Sequence, residues 1–376
     1  MTATIKEFLL PAIPSKHRSA AGTGQKPARR GGYPVTTLHE HLATWAATAS
    51  ERQPVADTIA AIATAAAQLA TVIAQGPLAG DLGRVLGASN DGDGQKALDV
   101  YANTLFTDHL RVAPVAAVVS EESNDIIALD PAGAVVVAMD PLDGSNNIDF
   151  NAPMGTVFSL LPAVAGDAKA SFLTQGSNQL AAGFVLYGPH TALVLTLKDG
   201  VDIFTLDPAK GIFVLTRSRI QIIPAQRIYA INGSNARHWP LAVRAFVEEC
   251  IAGSDGPRGV DYNTRWLGAV VSETFRVLLN GGIYLYPGDK RPGYHRGRLR
   301  LLYEANPIAL LIEQAGGTAT DGYSRILDLK PRDLHEHAPL IFGSTDKVTR
   351  VMELYAESVP QAGQRPLFAV RGLFKS

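Results

Sequence analysis

The sequence predicts a mixed α and β fold with two subdomains, α+β in its first half and α/β in its second. Apolar residues recur every three or four positions over 36–74, short apolar segments separated by turn residues follow, and strand and helix patterns alternate beyond Pro224. The expected units are a basic N-terminal arm, an N-terminal domain of helices and a mainly antiparallel sheet, and a C-terminal α/β domain, at residues 1–35, 36–222 and 223–376.

Bulk composition excludes several classes of protein. The formal net charge of −1 over 376 residues gives no general attraction to nucleic acid or to an anionic membrane. We find no apolar run close to the roughly 20 residues that span a bilayer. Cys250 is the single cysteine, so an intrachain disulfide is impossible and a reducing compartment is expected. The sequence thus predicts a cytoplasmic protein without nucleic-acid or membrane partners.

The first elements in chain order are helices. Apolar residues at Ile59, Ile62, Leu69 and Ile73 define one helix face, and a break near Gln53-Pro54 divides the region into two amphipathic helices. The polar, glycine-rich stretch 90–95 then predicts a flexible connector.

A series of strands follows the connector. The apolar, β-branched composition of these segments and the turn residues between them indicate a mainly antiparallel sheet, with a hairpin joined at Pro189-His190. The predicted strands are residues 115–119, 134–139, 155–161, 183–188, 191–197, 203–206 and 211–215.

The most informative stretch is Asp140-Pro141-Leu142-Asp143-Gly144-Ser145, where the buried strand 134–139 is expected to end in a turn. Two carboxylates three residues apart, with the Leu142 carbonyl between them, offer hard oxygen ligands that suit Mg²⁺ or Mn²⁺. Gly144 allows close approach of a ligand, and the amides from Ser145 onward suit a phosphate. Asp, Pro and Gly are also common in simple turns, so the motif alone does not distinguish a metal and phosphate site from a turn.

A second acidic pair favours the metal site. Glu121 and Glu122 follow the apolar segment 115–119, as Asp140 and Asp143 follow theirs. Two strands ending in carboxylates can bring four acids to one sheet edge, where like charges are costly unless cations lie between them. We therefore expect a metal centre at this edge.

The second half alternates strands and helices. Strands are predicted at 228–233, 283–287 and 340–344, and helices at 239–251, before Asn280, at 305–315 and at 345–357. A basic cluster precedes the third of these helices, and its composition fits a solvated loop or a weak anion patch, without the aromatic residues that stack on bases. Its members are Lys290, Arg291, His295, Arg296, Arg298 and Arg300.

Three motifs in this order resemble class I fructose-1,6-bisphosphatase, of the lithium-sensitive, metal-dependent phosphomonoesterase superfamily. They are Glu121-Glu122, the segment 140–145, and Gly297-Arg298-Leu299-Arg300-Leu301-Leu302-Tyr303-Glu304-Ala305-Asn306-Pro307. The resemblance runs from about Thr36 to about Leu354. It implies a layered αβαβα sandwich, hydrolysis of the 1-phosphate of fructose 1,6-bisphosphate in gluconeogenesis or the Calvin cycle, two to three Mg²⁺ or Mn²⁺ ions per subunit, and a homotetramer.

The resemblance also assigns roles to residues. Asp93 and Asp99 match two family aspartates six residues apart on a loop that closes over the metals, and Arg265 matches an arginine that reaches a neighbouring subunit's substrate. The implied metal ligands are Glu121, Asp140, the Leu142 carbonyl, Asp143 and Glu304. The implied catalytic residues are Asp93, Asp99 and Glu122, and the implied substrate contacts are Asp143, Gly144, Ser145, Asn146, Asn232, Arg265, Tyr286 and Arg298.

Some positions depart from the family pattern. Asn235 and Trp266 stand where tyrosines are expected near the remote phosphate, and Arg298 replaces a lysine. The donors of the family's AMP pocket are missing, so inhibition by AMP is not expected.

Several alternatives remain open. The altered pocket keeps sedoheptulose-1,7-bisphosphatase, or a bifunctional enzyme, as the nearest alternative. An inositol monophosphatase or a nucleotide 3'-phosphatase would have the same metal motifs but would not need a cradle for a second phosphate. A catalytically inactive sugar-phosphate-binding regulator would have lost a metal carboxylate, and here none is lost.

Overall fold

Residues 36–88 and 94–358, which the computed structural model describes, form alternating layers of helices and sheets. The first layer holds α1 (Leu38–Ala46), α2 (Gln53–Gln75) and α3 (Ala97–Leu110). Thr37 starts α1 by accepting the Glu40 N–H while the Glu40 carboxylate accepts the Thr37 N–H, which is a capping box. Pro54 occupies the first turn of α2, where its missing N–H costs nothing. The two predicted N-terminal helices are confirmed.

The expectation that no apolar run is close to the length of a bilayer span is wrong, because the helical stretch Ser50–Ala79 is long and apolar enough, by length and composition, to cross a membrane. Such helices also occur in the cores of soluble proteins, and here Ile59, Ile62 and Leu69 are completely buried with α1, α3 and the first sheet. The packing is that of an amphipathic core helix.

The first sheet has eight strands in the order β10-β9-β8-β7-β6-β5-β3-β4, and a short hairpin of β1 and β2 lies outside it. All neighbouring strands in the sheet are antiparallel except β3 and β5, which are parallel. The carboxyl ends of β3 and β5 therefore meet at one edge. The bounds are β1 Val85–Ala88, β2 Gly94–Lys96, β3 Val115–Ser120, β4 Ile127–Ala128, β5 Val135–Asp143, β6 Met154–Pro162, β7 Ala181–Tyr187, β8 Thr191–Thr196, β9 Asp202–Asp207 and β10 Ile212–Arg217, with the short helix α4 at Ala168–Phe172.

The second sheet is mixed, with five strands in the order β12-β11-β13-β15-β14. Strands β12, β11 and β13 are parallel, whereas β15 is antiparallel to both β13 and β14. Strand β14 was not predicted, because only three residues of it are paired. The bounds are β11 Ile228–Ala230, α5 Leu241–Ile251, β12 Asn263–Thr264, α6 Val270–Asn280, β13 Ile283–Tyr286, α7 Asn306–Gln314, β14 Thr318–Thr320, β15 Leu340–Gly343 and α8 Thr345–Ser358.

Three buried clusters define five layers. The first lies between α1–α3 and the first sheet, the second encloses α6 and α7 between the two sheets, and the third packs α5 and α8 on the outer face of the second sheet. This arrangement confirms the layered αβαβα sandwich. Because both sheets share the α6 and α7 layer, the division into domains at residue 222 remains a prediction.

Candidate metal centre and substrate cleft

Three buried carboxylates meet at the edge where β3 and β5 end. Ligand oxygens of Asp140, Asp143 and Glu304 all lie within 4.8 Å of one another. Each of these residues is at most 8% exposed. Asp140 and Asp143 are on β5, and Glu304 comes from a helical turn 161 residues after Asp143 in the chain.

The two aspartates are positioned by a bulge in β5. Asp140 pairs with Val157 and Asp143 with Gly155, so Pro141 and Leu142 together oppose the single residue Thr156. The expectation that the strand ends at Met139 is wrong, because β5 stays paired to β6 through Asp143. The Leu142 N–H donates to Asp140 Oδ1 at 2.9 Å, which fixes that carboxylate. The bulge brings both aspartates to the same edge of the sheet.

Glu304 lies in a π-helical turn, Leu301–Ala305, that leads directly into α7. The helical conformation therefore begins at Leu301, before Glu304, whereas the sequence predicted a helix that starts at residue 305. The backbone N–H of Arg300 donates to Glu304 Oε2 at 2.6 Å. Irregular helical turns of this kind are frequent at functional sites.

Arg300 is a neighbour of the acids whose position was not predicted. Its side chain is almost fully buried, contacts His337, and lies 4.0 Å from Glu121 Oε1. The sequence grouped it with a solvated basic loop. In the sequence, the apolar neighbours Leu299 and Leu301 were the feature that could have indicated burial of Arg300.

Glu121 and Glu122 follow β3 at the same edge. The Glu121 N–H donates to the Met139 carbonyl at 3.1 Å, which extends the parallel pairing of β3 with β5. Both residues are half-buried. The parallel pairing thus brings together the acids that the sequence placed at the ends of two separate strands.

These carboxylates strongly disfavour ionisation without cations. Burial raises the pKa of Asp143 and of Glu121 to about 7. Burial, with the charges of Glu121 and Glu304 next in size, raises the pKa of Asp140 well above its usual range, and burial together with Glu121 does the same for Glu304. A group of hard oxygen ligands that repel one another fits divalent cations of the Mg²⁺ class.

The segment after Asp143 lies against α6. Asp143 Oδ2 accepts the Val271 N–H at 2.9 Å. Gly144 has φ +76°, and a Cβ there would lie 2.7 Å from the Ala269 Cβ, so glycine is required. Ser145 then begins a 3-10 helix that extends to Phe150, and Asn146 is exposed on it.

Of the two aspartates in the first half that the resemblance implies are catalytic, the structure describes only Asp99. Asp93 lies outside the described residues. Asp99 is buried in the first turn of α3, where its Oδ2 accepts the Lys96 N–H at 2.7 Å. Burial raises the pKa of Asp99 to about 7, and the charge of Glu122 adds to this. Asp99 therefore caps a helix and also lies near the acid cluster.

A cleft opens at the end of β13, and Tyr286 at its wall is within range of the acid cluster, because burial and next the charge of Glu304 raise the pKa of Tyr286. Tyr286, Asn232 and Asn235 line the cleft. Asn232 Oδ1 also accepts from the backbone and hydroxyl of Ser234, as a turn-forming asparagine does. Arg265 lies on the exposed segment after β12, where its guanidinium donates to the Thr264 carbonyl, and it does not belong to the cleft of its own chain.

Trp266 does not occupy the position of a hydroxyl donor. Its ring stacks on Tyr284 with 5.8 Å between centroids, and Tyr284 stacks in turn on Tyr286. The indole therefore extends an aromatic row. Asn235 remains at the cleft but carries a shorter side chain than tyrosine.

The loop after β13 supplies cleft residues that the sequence did not indicate. Asp289, Arg291 and Tyr294 line the cleft together with Tyr286. Arg298 donates from Nη1 to the Tyr294 hydroxyl at 3.1 Å. In the basic cluster, Tyr294 is thus held between Arg291 and Arg298. A tyrosine among these basic residues was the feature of the sequence that could have indicated a binding site.

Known proteins match this chain over most of its length. The family model described as fructose-1-6-bisphosphatase, N-terminal domain, matches residues 38–218, and the model for the C-terminal domain matches residues 222–356. A class 1 fructose-1,6-bisphosphatase of Methylorubrum populi is 49% identical over 91% of this chain and 98% of its own. One from Acidiphilium cryptum is 53% identical over 85% of this chain and 90% of its own.

A solved structure has the same fold. The crystal structure of Leishmania major fructose-1,6-bisphosphatase in holo form superimposes with a TM-score of 0.80 at 33% identity, covering 86% of this chain and all of that chain. Two family models, curated relatives at about half identity and a shared fold agree with the three motifs. The chain belongs to the fructose-1,6-bisphosphatase family.

Proposed function

We propose that this chain hydrolyses the 1-phosphate of D-fructose 1,6-bisphosphate to give fructose 6-phosphate and phosphate. The observation that carries the proposal is the convergence of Asp140, Asp143 and Glu304 within 4.8 Å beside a cleft lined by Asn232 and Tyr286. A bisphosphate needs both features, since one phosphate reacts while the other is held at a distance. The relatives named for this activity support it.

The metal-holding residues in this proposal are Asp140, Asp143, Glu304, Glu121 and the Leu142 carbonyl, with two to three Mg²⁺ or Mn²⁺ ions per subunit. When bound, such ions activate water and neutralise charge on a phosphate. The ionised carboxylates supply the negative charge that retains the ions, and the Val271 and Arg300 N–H groups orient Asp143 and Glu304.

The remaining groups would bind the substrate and move protons. Glu122, Asp99 and Asp93 would orient or deprotonate the attacking water. Burial raises the pKa of Asp99 to about 7, which is suitable for proton transfer near neutral pH. Gly144, Ser145 and Asn146 would contact the reacting phosphate. Asn232, Tyr286 and Arg298 would contact the sugar and its distal phosphate.

We also propose that the enzyme works as a homotetramer in the cytoplasm. Arg265 is exposed and does not line the cleft of its own chain, which supports a contact to a neighbouring subunit's substrate. An arginine fork is suited to such a phosphate contact. Loss of substrate affinity on dilution to monomers would support this sharing.

Sedoheptulose 1,7-bisphosphate is the second candidate substrate. The observations that favour it are that the cleft is lined by the short Asn235 side chain and that Trp266, stacked on Tyr284, does not line it. Both substrates present the same 1-phosphate to the metal centre. The two activities therefore differ only in the cleft.

Phosphate release should be measured with both bisphosphates and with inositol 1-phosphate, each with Mg²⁺ and with EDTA. We expect Mg²⁺-dependent hydrolysis of fructose 1,6-bisphosphate, and the ratio of the two kcat/KM values measures the preference between six and seven carbons. Faster hydrolysis of inositol 1-phosphate than of either bisphosphate would reject the proposal.

A further inference from the structure

The loop at residues 287–298 is folded tightly around Tyr294. The Tyr294 carbonyl accepts the Asp289 and Gly297 N–H groups, each at 2.9 Å, and the Tyr294 N–H donates to the Arg291 carbonyl at 3.0 Å. A Cβ at Gly288 would lie 2.1 Å from the His295 carbonyl oxygen, so only glycine permits this path. The backbone of Tyr294 is therefore fixed at the wall of the cleft.

The ring of Tyr294 is fixed as well. The Arg291 guanidinium lies over it, 4.1 Å from the centroid. Arg291 is itself held by Asp289, whose carboxylate accepts the Arg291 N–H and Nε–H, each at 2.9 Å. Asp289 is only 8% exposed. Because this carboxylate neutralises Arg291, the main effect of Arg291 is to orient the ring.

The hydroxyl of Tyr294 is left with one proton to donate. Arg298 Nη1 donates to it at 3.1 Å, which uses one of its acceptor positions. A phenol has a single donor hydrogen, and no residue in 36–88 or 94–358 accepts it. Since Tyr294 lines the cleft, that proton is available to a ligand.

We infer that Tyr294 donates a hydrogen bond to the distal phosphate of the sugar substrate and replaces the tyrosyl hydroxyls missing at positions 235 and 266. Asn235 carries a shorter side chain than tyrosine, and Trp266 is stacked on Tyr284. The hydrogen bond that Arg298 donates to the Tyr294 hydroxyl polarises its O–H group and makes it a stronger donor. Hydrogen bonds donated to a phosphate are strong because the acceptor is charged. Arg291 acts as a positioning residue. The inference rests on the proposed function.

The first test compares two substrates in Tyr294→Phe, which keeps the ring and removes the hydroxyl. For fructose 1,6-bisphosphate we expect KM to rise about tenfold with kcat within about twofold, as for loss of one hydrogen bond to a charged group. For fructose 1-phosphate, which lacks the distal phosphate, KM should not change. An equal effect on both substrates would mean a structural role and overturn the inference.

The second test does not depend on activity. Calorimetry with fructose 6-phosphate in EDTA reports binding of the sugar and its distal phosphate without the reacting phosphate or the metals, and Tyr294→Phe should weaken this binding about tenfold. Tyr323→Phe, at a tyrosine that is 66% exposed beyond β14, is the matched control and should bind like the wild type. Arg291→Ala should weaken binding in the same direction by a smaller factor, because the ring loses its support.

The outcomes separate this inference from the proposed function. Unchanged product affinity in Tyr294→Phe would overturn the role of Tyr294 while leaving the activity in place. Wild-type protein that binds fructose 6-phosphate but fails to hydrolyse the bisphosphate with Mg²⁺ would overturn the proposed function, and weaker binding by Tyr294→Phe would still support the phosphate contact.

Discussion

The acid cluster and the cleft beside it are built in different ways. The acids lie on β5, directly after β3 and in the turn before α7, so neighbouring backbone fixes them, and most of them are buried. The cleft is formed by the turn after β11 and by the loop 287–298, and its polar side chains are mostly half-buried. The acids are thus held mainly by regular elements, whereas loops shape the cleft.

This difference has a kinetic consequence. Substitutions in the acid cluster should act mainly on kcat, because those groups work on the reacting phosphate. Substitutions in the cleft should act mainly on KM, because they bind a group that does not react. The following predictions, in order of decreasing effect, would break or sharpen this comparison.

The largest effect is expected for Asp143→Asn. It removes one ligand charge from the cluster but keeps an oxygen that can accept the Val271 N–H. We expect kcat to fall about 10³-fold at saturating Mg²⁺, since a metal contributes several kcal/mol of transition-state stabilisation. Phosphate release is the measurement, with Asp130→Asn at an exposed turn as control. Near-normal turnover would remove Asp143 from the metal site.

Asp99→Asn distinguishes helix capping from catalysis. Asparagine can still accept the Lys96 N–H, so α3 should remain capped and the thermal midpoint nearly unchanged. Loss of the titratable carboxylate should lower kcat about 10²-fold. Asp57→Asn, at an exposed position of α2, is the control. A stability loss with normal kcat would leave Asp99 a capping residue only.

Removing the metals should make stability depend on pH. The pKa values of Asp143 and Glu121 are about 7 in the folded chain, against about 4 in an unfolded one. The folded chain then binds more protons, so their contribution to stability is fully present below about pH 4 and is lost as the pH rises through about 7. In EDTA, the free energy of unfolding should fall over this range.

Binding of Mg²⁺ should offset the fall in the free energy of unfolding at higher pH. At ten times its Kd, a ligand that binds only the folded state adds about 1.4 kcal/mol to the free energy of unfolding. Because the ligands must be ionised, the gain should be larger at pH 8 than at pH 5.5. Urea unfolding with Mg²⁺ and with EDTA at both values measures it. An equal gain at both pH values would argue against binding by these carboxylates.

The smallest effect is expected for Arg298→Lys, at an arginine that contacts the cleft residue Tyr294. Lysine keeps the charge but loses the planar fork, including the donor to the Tyr294 hydroxyl. KM for the bisphosphate should rise about threefold, about 0.7 kcal/mol, with kcat nearly constant. Arg296→Lys, an exposed arginine paired with Glu336, is the control. If kcat falls more than KM rises, Arg298 works at the reacting phosphate and the proposed separation of roles is incorrect.

Strands and acids were predictable where local pattern and tertiary structure agree. The apolar segments before Glu121 and Asp140 became β3 and β5, and their parallel pairing placed the acids together as expected. The end of β5 was misjudged, because a bulge allows Asp-Pro-Leu-Asp to stay paired with β6. Proline and aspartate indicate a turn in isolation, and only the neighbouring strand decides otherwise.

The sequence by itself determined most helices and strands, the family and the acids that converge, because apolar periodicity and carboxylate motifs are local properties of the chain. The helices α3 and α4 were not predicted. Tertiary structure alone decided that Arg300 is buried beside Glu121, that Trp266 stacks on Tyr284, and that Tyr294 faces the cleft. These outcomes depend on contacts between segments far apart in the chain or on the path of an irregular loop, which no local pattern specifies.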